Sequence, residues 1–400
     1  SDLKLRLGYG VTGQQNLGTG DYPYLSVYQV NIAGAYYPFD STYVATNRPN
    51  AYNPILKWEQ TTTWNAGLDM GVFNGRITGS LDYYFRETTN LLNEVDIPSL
   101  SNFSNKMISN VGSLQNQGVE FSINAKAITT KNCTWEIGYN ITYNQNKITK
   151  LISGDKADYY VPTGGISAGT GNNVQAHSVG HPASSYYVYE QIYKADGKPV
   201  EGKPEDMYVN RYVDYDLNTD GTPKLDADGN KIPSAKQVIN DNDRYFYHSP
   251  AADITMGFAS KLIYKDFDFG FTLRASLGNY VYNDVAARSA NVSDVGVFSS
   301  GFFSNKPTSA LESNFKGNTN WYFSDYYVQN ATFVRCDNIT LGYSFKSIFK
   351  GISGGRIYAT VQNPIVITKY KGLDPEISGG IDNNIYPRPM ISLVGISLNF

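Results

Sequence analysis

Long stretches of this sequence alternate apolar and polar side chains residue by residue, and a strict period of two excludes most folds before anything else is counted. Leu3, Leu5, Leu7 and Tyr9 oppose Lys4, Arg6 and Gly8. From Arg76 to Leu92, Ile77, Leu81, Tyr83, Phe85 and Leu91 take one parity, while Thr78, Ser80, Asp82, Arg86 and Asn90 take the other. Val119, Phe121 and Ile123 oppose Glu120, Ser122 and Asn124. Trp135, Ile137, Tyr139, Ile141 and Tyr143 oppose Glu136, Asn140 and Asn144, and Phe267, Phe269, Phe271 and Leu273 oppose Asp268, Thr272 and Arg274. Successive side chains of a strand point to opposite faces, so each stretch reads as a two-faced strand. Helical spacing would scatter the same residues around a cylinder, and no long helix is predicted.

These strands are too long for an ordinary sandwich. A soluble β-sandwich also alternates, but its strands run to about 5 to 6 residues, whereas 76 to 92 and 134 to 150 hold the period far longer. Connections alternate in length as well. Phe73-Asn74-Gly75, Thr130-Lys131-Asn132 and Lys265-Asp266 are tight, whereas 12 to 58, 93 to 112, 151 to 181, 216 to 250, 284 to 328 and 366 to 388 are long. Short turns on one side and long loops on the other describe a transmembrane β-barrel with its short turns in the periplasm. Strands are predicted at 3 to 11, 59 to 72, 76 to 92, 114 to 129, 134 to 150, 182 to 194, 206 to 215, 251 to 264, 267 to 283, 329 to 346, 354 to 365 and 389 to 400. The even number of twelve puts every short turn on one side. The expectation is an all-β, antiparallel transmembrane barrel over 1–400, with Phe400 at the periplasmic end of the closing strand.

Composition agrees. The 400 residues are 41% hydrophobic and 17% charged, with 33 Tyr and 4 Trp, so the chain can bury a core. A net charge of -3 gives no basic footprint for nucleic acid. No run of 18 apolar residues offers a membrane helix, and a mean hydropathy of -0.37 is what alternating lipid-facing and lumen-facing positions average to. The alternation is already under way at Leu3, so an earlier part of the barrel, with any targeting segment, is expected upstream. Cys133 and Cys336 are expected near opposite rims, too far apart to pair.

Several motifs resemble the SusC/RagA-like family of TonB-dependent transporters of Bacteroidetes. They are Leu56-Lys57-Trp58-Glu59 with Asn65, Gly67, Leu68, Asp69 and Asp82-Tyr83-Tyr84; Asn110-Val111-Gly112 with Asn116, Gly118, Val119 and Glu120; and Val179-Gly180-His181-Pro182. The densest run is Ser324-Asp325-Tyr326-Tyr327-Val328, Asn338 to Tyr343, Gln362-Asn363, Lys369 to Glu376 and Tyr386-Pro387. Two departures stand out: Cys336-Asp337 replaces an apolar-basic pair, and Pro364 follows Gln362-Asn363, where its missing N–H suits a strand's end. The resemblance implies a plugged barrel of the 22-stranded class, of which this chain is about the C-terminal half, with the plug and first strands outside it. It further implies the bacterial outer membrane, a SusD-like surface lipoprotein as lid, TonB as energy source through the absent N-terminal part, and import of oligosaccharide or peptide. A passive porin-like channel and a surface carbohydrate-binding or adhesive β protein are the rival classes.

Three constellations could carry chemistry. Asp214, Asp216, Asn218 and Asp220 place oxygen ligands at alternate positions before Gly221, as a calcium loop does, but no Glu stands at the twelfth position; a structural calcium competes with an Asx-rich turn. His177 and His181 are four apart, yet Gly180 and Pro182 point to a loop rather than a metal-binding helix face. Tyr22-Pro-Tyr24, Tyr36-Tyr37, Tyr159-Tyr160, Tyr186-Tyr187 and Trp321-Tyr322 suit stacking on an oligomer, because aromatic rings offer large area with a polar handle. Of these, Tyr36, Tyr37, Tyr159, Tyr160, Trp321 and Tyr322 are the candidate substrate contacts. No nucleophile elbow, zinc or P-loop motif occurs, so the chain reads as a non-enzyme with no required cofactor.

Overall fold

The computed structural model describes residues 2–14, 24, 25, 27–29, 36–97, 106–151, 159–168, 171–290, 307–313, 315, 320–347 and 351–400; Tyr22 lies outside them. Ten strands form one antiparallel sheet in chain order. They are β1 (Asp2–Gln14), β2 (Glu59–Val72), β3 (Ile77–Thr89), β4 (Ser113–Thr129), β5 (Cys133–Lys150), β6 (Ile254–Tyr264), β7 (Phe267–Leu277), β8 (Phe333–Lys346), β9 (Gly354–Thr368) and β10 (Ile391–Asn399). β1 and β10 are the two ends of the sheet and do not pair with each other. Phe400 therefore finishes a strand whose second partner is not β1.

Among the described residues ten strands, rather than twelve, make the wall. The stretches 182 to 194 and 206 to 215 do not join it. Ser185–Val188 belongs to a separate small sheet, and 206 to 215 holds the end of a short helix, Pro204–Met207, followed by isolated bridges. β5 pairs directly with β6, so everything between Lys150 and Ile254 is one connection. Dropping two strands leaves the count even, and the short turns stay together.

Those turns are sharply made. Phe73, Asn74 and Gly75 all have positive φ, and Arg76 N–H donates to the Phe73 carbonyl. Thr130 N–H donates to the Cys133 carbonyl, and Lys265 takes φ 52°. At the opposite end the connections are long, as barrel topology requires.

The two faces of the wall differ in chemistry. Outward, Leu3, Leu5, Leu7 and Tyr9 of β1, Tyr83 of β3, Tyr143 of β5, Leu341 of β8 and Ile357 of β9 are exposed. Inward, Arg6 binds Asp69 and Asp82 at 2.8 and 3.0 Å, Arg356 binds Asp268 at 2.6 and 2.9 Å, and the Tyr84 hydroxyl donates to Asn144 at 2.7 Å. Gly342 sits under the Arg356–Asp268 pair, where a Cβ would collide with both side chains. An apolar outside and a hydrogen-bonded inside fit a wall with lipid behind it and a wet lumen before it.

Asp337, the departure from the family pattern, is an extra residue in β8. Both ladders skip it, with Cys336 and Asn338 opposite Leu273 and Thr272 on one side and Ile365 and Gln362 on the other. This bulge redirects the Asp337 side chain. Pro364 lies inside β9 rather than at its end, but next to Asn363 at φ 51° and beyond the last β10 pair, so its missing N–H breaks no ladder there. Cys133 and Cys336 are both free.

Candidate functional site: a clasped aromatic layer over the lumen

The long connections build a second structure on the inward face at the loop end of the wall. Tyr160–Gly165, Asn173–Ser178, Ser185–Val188 and Tyr245–Tyr247 pair as a four-stranded sheet. It touches the wall where Ala183 N–H donates to the Asn146 side chain and Ile148 N–H to the His181 carbonyl. Period two operates here too, with both faces aromatic. Tyr186 points into a core with Val174, Val188, Tyr208, Tyr282, Phe315, Trp321 and Tyr327. On the other face Tyr160, Tyr187, Phe246 and His181 form a half-exposed ladder, with ring centroids 4.6, 4.9 and 4.1 Å apart in that order. Burial, with Tyr160 alongside, pushes the Tyr187 phenol up to about 12, and burial, with Lys147 nearby, holds the His181 imidazole below its ordinary value. Both therefore stay neutral near pH 7.

A cluster of charge ties this layer to the wall. The segment after β9 carries Asp374, Pro375 and Glu376. Arg274 of β7 grips Glu376 through both terminal nitrogens at 2.6 and 2.8 Å while its Nε donates to Asp337 at 2.7 Å. Arg335 of β8 donates to Asp374 at 2.7 Å, and both are only 3% exposed. Arg388 closes the cluster on Glu376. Burial would raise the Glu376 carboxyl, but Arg274 and Arg388 outweigh it and hold it below the usual range. The same segment then reaches the aromatic layer. Gln175 Nε2 donates to Gly379 O at 2.8 Å, the Tyr186 hydroxyl to Gly380 O at 2.7 Å, and the Tyr370 hydroxyl to Asp382 at 2.6 Å.

A family profile described as "TonB dependent receptor-like, beta-barrel" matches residues 1–189. The TonB-dependent receptor SusC of Bacteroides thetaiotaomicron is 53% identical over 406 aligned residues, covering 100% of this chain and 38% of that protein. This chain belongs to the SusC/RagA-like TonB-dependent receptors. TonB-dependent receptor P3 of Formosa agariphila is 31% identical over 402 residues, covering 95% of the chain and 36% of that protein. Among solved structures, the RagAB peptide transporter superposes with a TM-score of 0.75 at 27% identity, covering 100% of this chain and 41% of that one. The chain thus spans about two fifths of the length of these relatives. As a member of this family it is an outer-membrane protein, and its relatives are receptors and transporters rather than enzymes.

In this SusC/RagA-like chain the predicted contacts fall in three places. Tyr36 and Tyr37 lie on an exposed hairpin, Tyr36–Phe39 with Thr42–Ala45, where Tyr37 packs on Phe39 at 4.9 Å. Tyr160 heads the aromatic ladder, with Tyr159 just before it. Trp321 is 3% exposed, its Nε1 donating to Ala287 O at 3.0 Å, and its ring lies tilted against Tyr322 with centroids 4.8 Å apart. Trp321 is a core residue here, not one presented to a ligand.

The calcium pattern has a different cause. Tyr215 bridges Pro233, Leu217 bridges Pro223 and Leu225 bridges Lys231, so 214–234 is a small meander. Asp214, Asp216 and Asn218 are simply the polar parity of its first strand, alternating with Tyr215 and Leu217. Asp214 accepts from Val238 N–H, and Asp220 caps its own turn through Thr222. Among the described residues no three His, Cys, Asp or Glu side chains come together as a metal site. His177 accepts from Ser184 N–H, while His248 stacks on Tyr280 at 3.6 Å. The sequence drew no attention to Phe246 or to the three arginines as site residues, and His181 stood out only as a motif residue and a metal candidate. The Asp337 departure was the signal that could have led to the clasp.

Proposed function

We propose that this chain forms part of the wall and the outer vestibule of a TonB-dependent importer of nutrient oligomers, glycan or peptide. One observation carries the reading: a lipid-facing wall with a polar inner face bears, over its lumen end, a layer offering the half-exposed Tyr160–Tyr187–Phe246–His181 ladder. Rings spaced a few ångströms apart along one face suit successive units of an oligomer, which they can stack on while hydroxyl and imidazole edges hydrogen-bond. The transported species leaves chemically unchanged. By family resemblance a SusD-like lipoprotein caps the outer face, and TonB acts from the periplasm on a plug outside this sequence.

The long connections 12 to 58, 216 to 250 and 284 to 328 are the candidates for contacting the lid, and the second offers a defined surface among the described residues. The 214–234 meander keeps Tyr215, Leu217, Pro223 and Leu225 on one face, and Leu217 and Leu225 are more than half exposed. An unpartnered apolar face in the external medium suits a protein contact. The test is growth of a strain lacking the transporter on defined glycans and on peptides as sole nutrients. Growth is expected to fail on one class of oligomer and persist on its monomers. Unchanged growth on every oligomer overturns the reading.

A further inference from the structure

We propose that Arg335 and Arg274 are positioning residues: through Asp374 and Glu376 they set the place of the segment that holds the aromatic layer over the lumen. This rests on the importer reading above. A carboxylate and a guanidinium withdrawn from water as far as Asp374 and Arg335 are stable only in a tightly defined geometry. Here the geometry is fixed twice, since Asp374 also accepts from Glu376 N–H at 2.9 Å and Glu376 is gripped in a fork by Arg274. The facing groups balance, with Asp337, Asp374 and Glu376 against Arg274, Arg335 and Arg388.

Only a few residues separate this anchor from the contacts with the layer. Gly379 and Gly380 follow Glu376 closely, so an anchored Glu376 confines them within a few residues' reach, about 3.3 to 3.6 Å per residue. Both glycines have positive φ, and a Cβ on Gly380 would strike Pro250 and the Tyr186 hydroxyl. The backbone therefore fits flush against Tyr186, the residue whose neighbour Tyr187 lies in the ladder. Asp382 continues the seam, its N–H donating to Tyr282 O at 2.9 Å and its carbonyl accepting from Val285 N–H at 3.1 Å. The clasp holds the segment, the segment holds Gln175 and Tyr186, and the ladder rides on the same strands.

The test uses the full-length transporter in outer membranes with its lid protein. Hydrogen exchange is followed in peptides covering 173–188 and 378–382 for Arg335→Met, Asp374→Asn, Glu376→Gln and the charge-swapped double variant R335D/D374R. The single variants are expected to exchange about tenfold faster in both peptides, with wall strands unchanged. In uptake assays their half-saturating substrate concentration rises while the maximal rate per inserted barrel holds, and the swapped pair restores part of both. Equal exchange in Glu376→Gln and wild type overturns the proposal, even if Arg335→Met fails to insert. A wild-type protein that takes up no oligomer overturns the importer reading instead, leaving the exchange result standing.

Discussion

The wall and the layer above it are built from the same residue types turned inside out. In the wall, Leu, Ile and Tyr face outward and the polar parity faces in: Leu7 is 77% exposed, while its neighbour Arg6 is held by Asp69 and Asp82. In the layer the order is that of a water-soluble domain. Tyr186, Tyr208, Tyr282 and Trp321 are buried, and Asp, Lys and Glu side chains take the surface. The difference teaches that the solvent outside, lipid in one case and water in the other, decides which parity is hidden.

The largest effect that separates the two regions is a core deletion in the layer. Trp321→Ala removes a packed ring and the indole's hydrogen bond to the Ala287 carbonyl, which keeps the Ala290 N–H as donor, and should destabilise the layer by about 3 to 5 kcal/mol, read as faster exchange in 185–188 and 245–247 with the wall intact. Equal loosening of wall and layer would show that they unfold as one unit. Next comes the lipid face. Leu7→Arg should cost about 2 to 4 kcal/mol if the site is at mid-depth, measured by chemical unfolding in bilayers. A near-neutral result would place that parity away from lipid.

The smallest effect sharpens the comparison by pH. Burial lowers His181, with Lys147 adding to it, and lowers His248 against the opposing pull of Asp253. Histidines whose folded values lie below the unfolded one, roughly 6.5, contribute stability that is present above pH 6.5 and lost as pH falls through their folded values. Glu376, also lowered, acts in the same sense at lower pH. Hydrogen exchange in peptides from 171–250, corrected for the intrinsic exchange rate at each pH, should therefore be faster at pH 5.5 than at pH 7.5, with the wall unaffected. Equal or greater protection at pH 5.5 would contradict this.

What could be read in advance divides along the same line. The wall strands were legible within a few residues because lipid on one side and water on the other impose the period of two on long runs, and Phe73-Asn74-Gly75 and Lys265-Asp266 announce their turns. Tyr186 to Tyr189 form a continuous aromatic and β-branched run of strand-forming residues, so 182 to 194 read as a wall strand; nothing local tells such a segment whether its apolar side chains will meet lipid or a folded core. The Asp214 to Asp220 pattern was open between a ligand series and an Asx-rich turn, and its alternation is that of a bridged segment whose Asp220 caps a turn through Thr222. The aromatic doublets flagged the layer but not the roles within it. Tyr160 reached the ladder and Trp321 went to the core, because that choice depends on register with strands far away in sequence.

An antiparallel wall with short turns on one side, its lipid-facing parity and the family were all readable from the residues, since each rests on local alternation or contiguous motifs. Folding alone settles that ten described strands form the wall, that 151–253 is one connection folding back over the lumen, and that Arg274, Arg335 and Glu376 meet across as many as 102 residues of chain. Contacts between distant segments depend on which strands become neighbours and on where a bulge such as Asp337 turns a side chain, and neither is written in the residues on either side.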